Sequence, residues 1–95
     1  MKLTIPIRDY PHRAEIDGMR VDIDVGGEPV AFFLGRGSAT DGMYLSHYAS
    51  GRRVSLEDLA ETGRSPQEIV AELVSKYGPE HLKFHFDSCP TLNTP

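Results

Sequence analysis

The segment SPQEIVAELVSKYGP, from Ser65 to Pro79, carries the signals for both ends of a helix. Its opening predicts a capping box, in which the Ser65 hydroxyl accepts from the Glu68 amide and the Glu68 side chain reaches back to the Ser65 amide. Pro66 fills the first helical position, where no backbone donor is needed, and the closing glycine and proline end the helix. The sequence therefore predicts a main helix over residues 65–77.

The apolar side chains of this stretch recur with the period of a helix and share one face. They are Ile69, Val70, Leu73, Val74 and Tyr77. Such a face needs another element to cover it, and most of the remaining chain is patterned as strands. We therefore expect an α+β fold, in which an antiparallel sheet of four to five strands carries the main helix on one face.

The strands are predicted from the alternation of apolar and polar residues and from the turn residues between them. The candidate segments are Leu3 to Ile7, Val21 to Val25, the apolar run 30–34, residues 43–49, a short return strand at 52–54, and 81–87, where Leu82, Phe84 and Phe86 face inward. Pro6 places the first strand at an edge, because proline removes a ladder hydrogen bond. Gly26 and Gly27 predict a tight hairpin turn before the central run.

The chain has 95 residues, which is enough for one core, so a single domain is predicted over 1–89 with a frayed tail at 90–95. Ser55 and Asp58 repeat the capping pattern and predict a short helix over 55–62. Cys89 has no second cysteine to pair with, and neither a leader sequence nor a membrane span is visible. These features predict a soluble cytoplasmic protein.

The charge balance argues against direct binding of nucleic acid. Fourteen acidic and ten basic side chains give a net charge of -4, whereas proteins that hold a phosphate backbone are basic. Four of the acidic residues crowd one predicted hairpin: Asp17, Asp22, Asp24 and Glu28. A solvated strand face explains them better than mimicry of a phosphate backbone, which stays open as an alternative.

Metal binding has one weak candidate, the polar side of the predicted last strand. Alternation on a strand places His81, His85, Asp87 and Cys89 on one side, and all four carry zinc-binding groups. Every second position of a strand lies about 7 Å from the next, which is too far for one ion to collect several of them. The polar outer face of an edge strand is the favoured interpretation, and no cofactor is predicted.

Two further chemical sites are weaker still. Cys89 would need an activating base, and His85 lies out of its reach on an extended strand. The glycine-rich segment 35–42, with Arg36, has the composition of a phosphate-binding loop, but it lacks the lysine and serine of such loops and does not lead into a helix. A connection between strands explains it better.

The preferred contact surface surrounds the predicted turn at Ser50 and Gly51. It comprises Tyr44, His47, Tyr48, Arg52 and Arg53, with Asp22 and Asp24 as acidic contacts on the neighbouring hairpin. Tyrosine and arginine often anchor protein interfaces, because they combine contact area with directional hydrogen bonds. Ordinary cross-strand pairs of tyrosine and arginine are the alternative explanation.

The segment LSHYASGRRV, from Leu45 to Val54, is followed by a helix and resembles small uncharacterised proteins of temperate phages and bacterial mobile elements. The resemblance implies a single α+β domain without a cofactor. It also implies inhibition of a host defence complex by occlusion of its surface, as anti-CRISPR proteins do, in the host cytoplasm. An acidic protein would be drawn to the basic nucleic-acid channel of such a nucleoprotein complex.

We therefore expect a non-enzymatic protein-binding domain without membrane contact, and a homodimer through an edge strand is an additional expectation. Two alternatives stay open at this point. One is a structural or assembly module of a larger complex, and the other is a small metal-dependent or cysteine enzyme.

Overall fold

The computed structural model describes residues 1–6, 13–36, 42–55 and 57–94. In this part of the chain, the strands are β1 (Lys2–Pro6), β2 (Arg13–Val25), β3 (Glu28–Arg36) and β4 (Met43–His47), and the helices are α1 (Leu59–Thr62), α2 (Pro66–Tyr77) and α3 (Pro79–Asp87). All neighbouring strands are antiparallel, in the order β1-β2-β3-β4. The predicted α+β fold, with helices packed against an antiparallel sheet, is confirmed.

Helix α2 begins as its sequence predicts. The amide of Glu68 donates to the Ser65 hydroxyl at 3.2 Å, while the Glu68 carboxylate contacts that hydroxyl at 3.4 Å rather than the Ser65 amide. Ile69 and Val70 are buried, so the predicted face packs on the sheet. Tyr77 departs from this pattern with 49% exposure, because it lies in the last turn and packs beside the His81 ring, with centroids 5.9 Å apart.

The hairpin between β2 and β3 forms the middle of the sheet. Gly26 and Gly27 have φ angles of 61° and 88°, which L side chains rarely adopt, so the two glycines suit this tight turn. The predicted apolar run 30–34 lies in β3, between β2 and β4. Phe32 and Phe33 are adjacent residues of this run, and both are almost fully buried. Because adjacent side chains of a strand point to opposite faces, both faces of the sheet must be covered.

Each face has its own core. Phe32 belongs to the larger core, which the helices cover and which comprises Ile23, Val25, Phe32, Leu45, Leu59, Ile69, Val70, Leu82 and Phe86. Phe33 belongs to the smaller core, with Leu3, Ile16 and Tyr48. Because Leu3 lies in β1, the β1 end of the sheet curls over the face that carries no helix.

This curl depends on two paired glycines. Strand β2 pairs with β1 through residues 13–17 and with β3 from Gly18 onward, where Gly18 is opposite Gly35. A Cβ atom on Gly18 would lie 2.2 Å from the Leu34 carbonyl oxygen, and one on Gly35 would lie 2.8 Å from the Ile16 side chain. The close approach at this bend therefore requires glycine.

The predicted last strand over 81–87 is wrong, because these residues form helix α3. Leu82 and Phe86 are buried, and Phe84, which the sequence placed inward, is 73% exposed. A spacing of four residues fits one face of a helix as well as one face of a strand, so Leu82 and Phe86 did not distinguish the two. Pro79 at the first helical position is the local signal for the helix.

Several boundaries also differ from the prediction, and the largest difference is at β2, which begins at Arg13 instead of Val21. The strand predicted over 43–49 ends at His47, and the return strand at 52–54 is reduced to one bridge between Ser46 and Arg53. The short helix spans Leu59–Thr62 and is capped by Asp58. Ser55 does not cap it, because its hydroxyl accepts from the Leu45 amide at 3.0 Å. None of the described helices is both long and apolar enough to cross a membrane.

Leu92 and Asn93, in the segment 90–95 for which the sequence predicts a frayed tail, make hydrogen bonds to β1 and to the turn after β4. The amides of Leu92 and Asn93 donate to the Ala49 carbonyl at 2.7 and 3.0 Å. The Asn93 side chain accepts from the Thr4 amide and donates to the carbonyls of Thr4 and Tyr48, each at 2.9 Å. The polar backbone groups of β1 explain this attachment, because an edge strand offers unpaired donors and acceptors.

Candidate partner-binding groove

A groove runs between β1 and the turn that follows β4, on the face of the sheet that carries no helix. Its volume is about 370 Å³, and it is lined by Ile5, Pro6, Ile16, Gly35, Arg36, Tyr44, Ser46, Gly51, Arg52 and Arg53. Three of these residues are arginines, and none of the described lining residues is acidic. We call this feature the arginine groove.

The register of the sheet explains how the groove residues come together. Tyr44 of β4 is opposite Gly35 of β3, so a large side chain lies beside a position with none. Arg53 bridges back to Ser46 of the same strand, which brings the segment after the turn against β4. Side chains of Tyr44 and Ser46 share one face of β4, because alternate residues of a strand point the same way.

Gly51 allows the turn after β4 to approach β1 closely. Gly51 has a φ of 70°, and a Cβ atom there would lie 2.3 Å from the Thr4 carbonyl oxygen. The amide of Gly51 donates to the His47 carbonyl, and the amide of His47 donates to the Arg52 carbonyl, both at 2.8 Å. These two hydrogen bonds connect the backbone of the segment that carries Arg52 and Arg53 to the end of β4.

Arg53 and Tyr44 make a cation–π contact within the groove. The guanidinium carbon of Arg53 lies 4.0 Å from the centre of the Tyr44 ring. Such contacts contribute about 0.5 to 1 kcal/mol at exposed sites. The contact orients the Arg53 guanidinium without neutralising its charge.

The three arginines of the groove have no carboxylate partner in the described part of the chain. Other cations do: Lys2 pairs with Asp17, Arg20 with Asp22, Lys83 with Glu28, and Arg64 with Glu57, Glu68 and Glu72. Four cationic side chains that the structure describes are left without an ion pair, and only Lys76 among them lies outside the groove. Among the cationic side chains that the structure describes, three of the four without an ion pair therefore lie at one place.

The structure divides the predicted contact surface. Tyr44, Arg52 and Arg53 lie together in the groove, while His47 and Tyr48 are buried. His47 lies in the larger core beside Phe86, and Tyr48 lies in the smaller core. Because a strand alternates its faces, His47 points to the side of the sheet opposite to Tyr44. Tyr48 is removed from the surface because it packs beside Phe33 in the smaller core.

The predicted acidic contacts lie elsewhere on the molecule. Asp22 and Asp24 are exposed on β2, and Asp22 forms an ion pair with Arg20 at 3.0 Å. Asp17 and Glu28 of the same hairpin also form ion pairs, with Lys2 and Lys83. Asp24 alone of these four carboxylates has no ion pair in the described residues, so the hairpin is not an accumulation of free negative charge.

The weak metal candidates lie on and after a helix instead of along one side of a strand. His81, His85 and Asp87 lie on exposed surface of α3, and Cys89 follows that helix. Within the described residues, no group of three or more histidine, cysteine or acidic side chains is arranged to hold a metal ion. The Cys89 thiol donates to the backbone carbonyl of His85 at 3.3 Å. This contact holds the thiol in place but supplies no base.

The groove also contains residues that the sequence does not group with it. The sequence associates Arg36 with the glycine-rich segment 35–42, of which residues 37–41 lie outside the described part of the chain. The structure places Arg36 at the end of β3, where it joins Arg52 and Arg53. Ile5 belongs to the first predicted strand and Ile16 to none of the predicted strands. Both residues lie beside the groove because the β1 end of the sheet curls over this face.

Similarity to other proteins does not assign a role to these residues. Comparisons of the chain with protein-family models, with curated proteins and with solved structures found no match. The arginine groove is therefore defined by its geometry and its charge.

Proposed function

We propose that the chain is a non-enzymatic protein-binding domain that contacts its partner through the arginine groove. One observation supports this proposal above the others: Arg36, Arg52 and Arg53 all line one groove and have no ion pair among the described residues. The chain as a whole is acidic, with a net charge of -4. A partner with carboxylates would give these arginines the ion pairs that Lys2, Arg20, Arg64 and Lys83 have within the chain.

The physical chemistry of arginine and tyrosine supports a protein interface. Guanidinium groups give several hydrogen-bond donors in a fixed geometry, and tyrosine gives a large rigid surface with a polar tip. Both residue types are enriched among the side chains that dominate binding energy. Removing one such side chain typically costs about 2 kcal/mol or more of binding free energy when it lies at the centre of an interface.

The biological role that we propose is inhibition of a host defence complex by occlusion of its surface. This part of the proposal rests on the resemblance of Leu45 to Val54 to proteins of phages and mobile elements. Arg52 and Arg53 belong to that segment and also to the groove. Action in the host cytoplasm follows from the same proposal.

The experiment is affinity capture from a lysate of the natural host, with two matched double variants. Arg52→Ser with Arg53→Ser removes two positive charges from the groove, and Lys2→Ser with Lys76→Ser removes two from exposed positions elsewhere. We expect the wild-type protein and the lysine variant to retain the same partner in equal amounts, and the arginine variant to lose it. Equal retention by both variants would contradict the proposal.

Sedimentation of the purified protein separates the proposal from the assembly alternative. A binding domain should remain at one small size without its partner. Self-association into larger particles that the arginine substitutions leave intact would favour a structural module instead.

A further inference from the structure

Resting on the proposed function, we infer that the partner element that enters the arginine groove is an acidic polypeptide segment. The chain's own geometry defines the chemistry of this ligand. The Arg53 guanidinium lies over the Tyr44 ring in the groove, Arg52 precedes it after the turn, and Arg36 at the end of β3 also belongs to the lining, so two elements contribute arginines. Separated cations suit a ligand that carries several carboxylates along its length.

Carboxylates are the matching group because of the geometry of arginine. A guanidinium donates two parallel hydrogen bonds to the two oxygens of one carboxylate, and these charge-assisted bonds are about twice as strong as neutral ones. No described lining residue of the groove is acidic, so a bound carboxylate meets no like charge there. Arg36, Arg52 and Arg53 are exposed, and their donors are accessible to a ligand.

The rest of the lining favours a polypeptide over a small inorganic anion. Ile5, Pro6 and Ile16 contribute apolar surface on the β1 side, where a bare ion would have no partner. An acidic segment carries methylene groups beside its carboxylates and can cover this surface. Burial of apolar area contributes about 25 cal/mol per Å², so this side of the groove adds to the affinity that the arginines provide.

Nucleic acid fits the groove less well than a peptide. The Tyr44 ring is the aromatic side chain in the groove lining, and one of its faces is covered by Arg53 at 4.0 Å. Base stacking on aromatic faces supplies much of the affinity for single strands, and a long phosphate backbone would also meet the acidic remainder of the chain.

A second copy of this chain is also a poor occupant. Its acidic β2–β3 hairpin already has Asp17, Asp22 and Glu28 in ion pairs. Insertion of that hairpin would require these pairs to break. The partner is therefore a different protein with an exposed acidic segment.

The test measures direct binding of a fluorescein-labelled short peptide of alternating glutamate and alanine by fluorescence anisotropy. We expect Arg52→Glu with Arg53→Glu to weaken binding by at least about ten-fold, which corresponds to 1.4 kcal/mol. Lys2→Glu with Lys76→Glu changes the net charge by the same amount and should stay within about two-fold of wild type, because both lysines lie outside the groove. Circular dichroism of each variant verifies that it is folded.

Two further probes decide the ligand class. A peptide with glutamine in place of glutamate should not bind, and an oligothymidylate of matched charge should bind more weakly than the glutamate peptide. Tighter binding of the oligothymidylate would overturn the inference, and so would equal loss in both double variants. If host-partner capture depends on Arg52 and Arg53 while the glutamate peptide fails to bind, the inference is wrong and the proposed function stands.

Discussion

The imidazole of His47 lies parallel to the ring of Phe86, with ring centroids 4.1 Å apart and an angle of 5° between the planes. This contact joins β4 to α3, two elements that are far apart in the sequence. The His47 ring also makes a hydrogen bond to the turn that follows β4, because its Nδ1 lies 2.8 Å from the Ser50 hydroxyl. The same side chain thus connects the larger core to the turn that carries the arginine groove.

The position of His47 predicts a loss of stability in acid. Burial lowers the pKa of His47 below the ordinary value of 6.5; the charge of Asp87 acts in the opposite direction, and His85 acts in the same direction as burial. The folded pKa is therefore below the unfolded one. The stabilisation from neutral His47 is complete above about pH 6.5 and is lost as the pH falls from there through the folded pKa, because the unfolded chain takes up the proton first.

Urea unfolding from pH 8 to pH 5 measures this effect. One group contributes a slope of at most about 1.4 kcal/mol per pH unit. His47→Gln keeps a polar partner for Ser50 but cannot be protonated, so its stability should fall less steeply in this range. Identical slopes for the variant and the wild type would show that His47 is not the responsible group.

The helical assignment of 79–87 predicts opposite outcomes for two phenylalanines of α3. Phe86→Ala should reduce the free energy of unfolding by about 3 to 5 kcal/mol, since it removes a buried ring and leaves a cavity. Phe84→Ala should change it by no more than about 0.5 kcal/mol, since that ring is 73% exposed. Comparable losses in both variants would instead support a strand with both rings inward.

The main helix and the hairpin could be predicted from sequence because local chemistry specifies them. Ser65 and Glu68 encode a helix start, and Gly26 with Gly27 encodes a turn, whatever the rest of the chain does. The packing of His47 against Phe86 had no such local signal. It follows from the contact of two elements that are distant in sequence, and residues 81–87 fit either a strand or a helix by their apolar pattern alone.

The groove was only partly predictable for a related reason. Tyr44, Arg52 and Arg53 could be grouped from the sequence, since they flank one turn. Arg36 lines the groove because β3 pairs with β4, and Ile16 does so because β2 curls where Gly18 meets Gly35. Curvature of a sheet depends on which residues come opposite each other, and the register was not readable from one strand at a time.

The attachment of the C-terminal segment predicts a stabilising role for Asn93. Asn93→Ala removes one acceptor and two donations, which join the tail to Thr4 and Tyr48. We expect a loss of about 1 to 3 kcal/mol, because the abandoned backbone groups are partly buried. Thr94→Ala is the matched control, since Thr94 is exposed and should be neutral. Thermal unfolding at one pH compares the two variants. Equal melting temperatures would mean that the hydrogen bonds of Asn93 do not stabilise the fold.

The close pairing of Gly18 and Gly35 predicts that a single methyl group will disturb the fold. Gly18→Ala places a Cβ atom 2.2 Å from the Leu34 carbonyl oxygen, so β2 and β3 must separate or the curl over the smaller core must open. We expect a cost of at least about 1 to 3 kcal/mol, the usual range for overpacking. Denaturant unfolding gives this value.

Gly63→Asn provides the control for that experiment. Gly63 has a φ of 72°, and a Cβ atom there would have no neighbour within 4 Å. Asparagine tolerates this backbone region better than other L residues, so the midpoint of the variant should lie near that of the wild type. If Gly18→Ala also unfolds at the wild-type midpoint, β2 can bend without the glycine pair. The position of β1 beside the arginine groove would then depend on the burial of Leu3 and Ile16 instead.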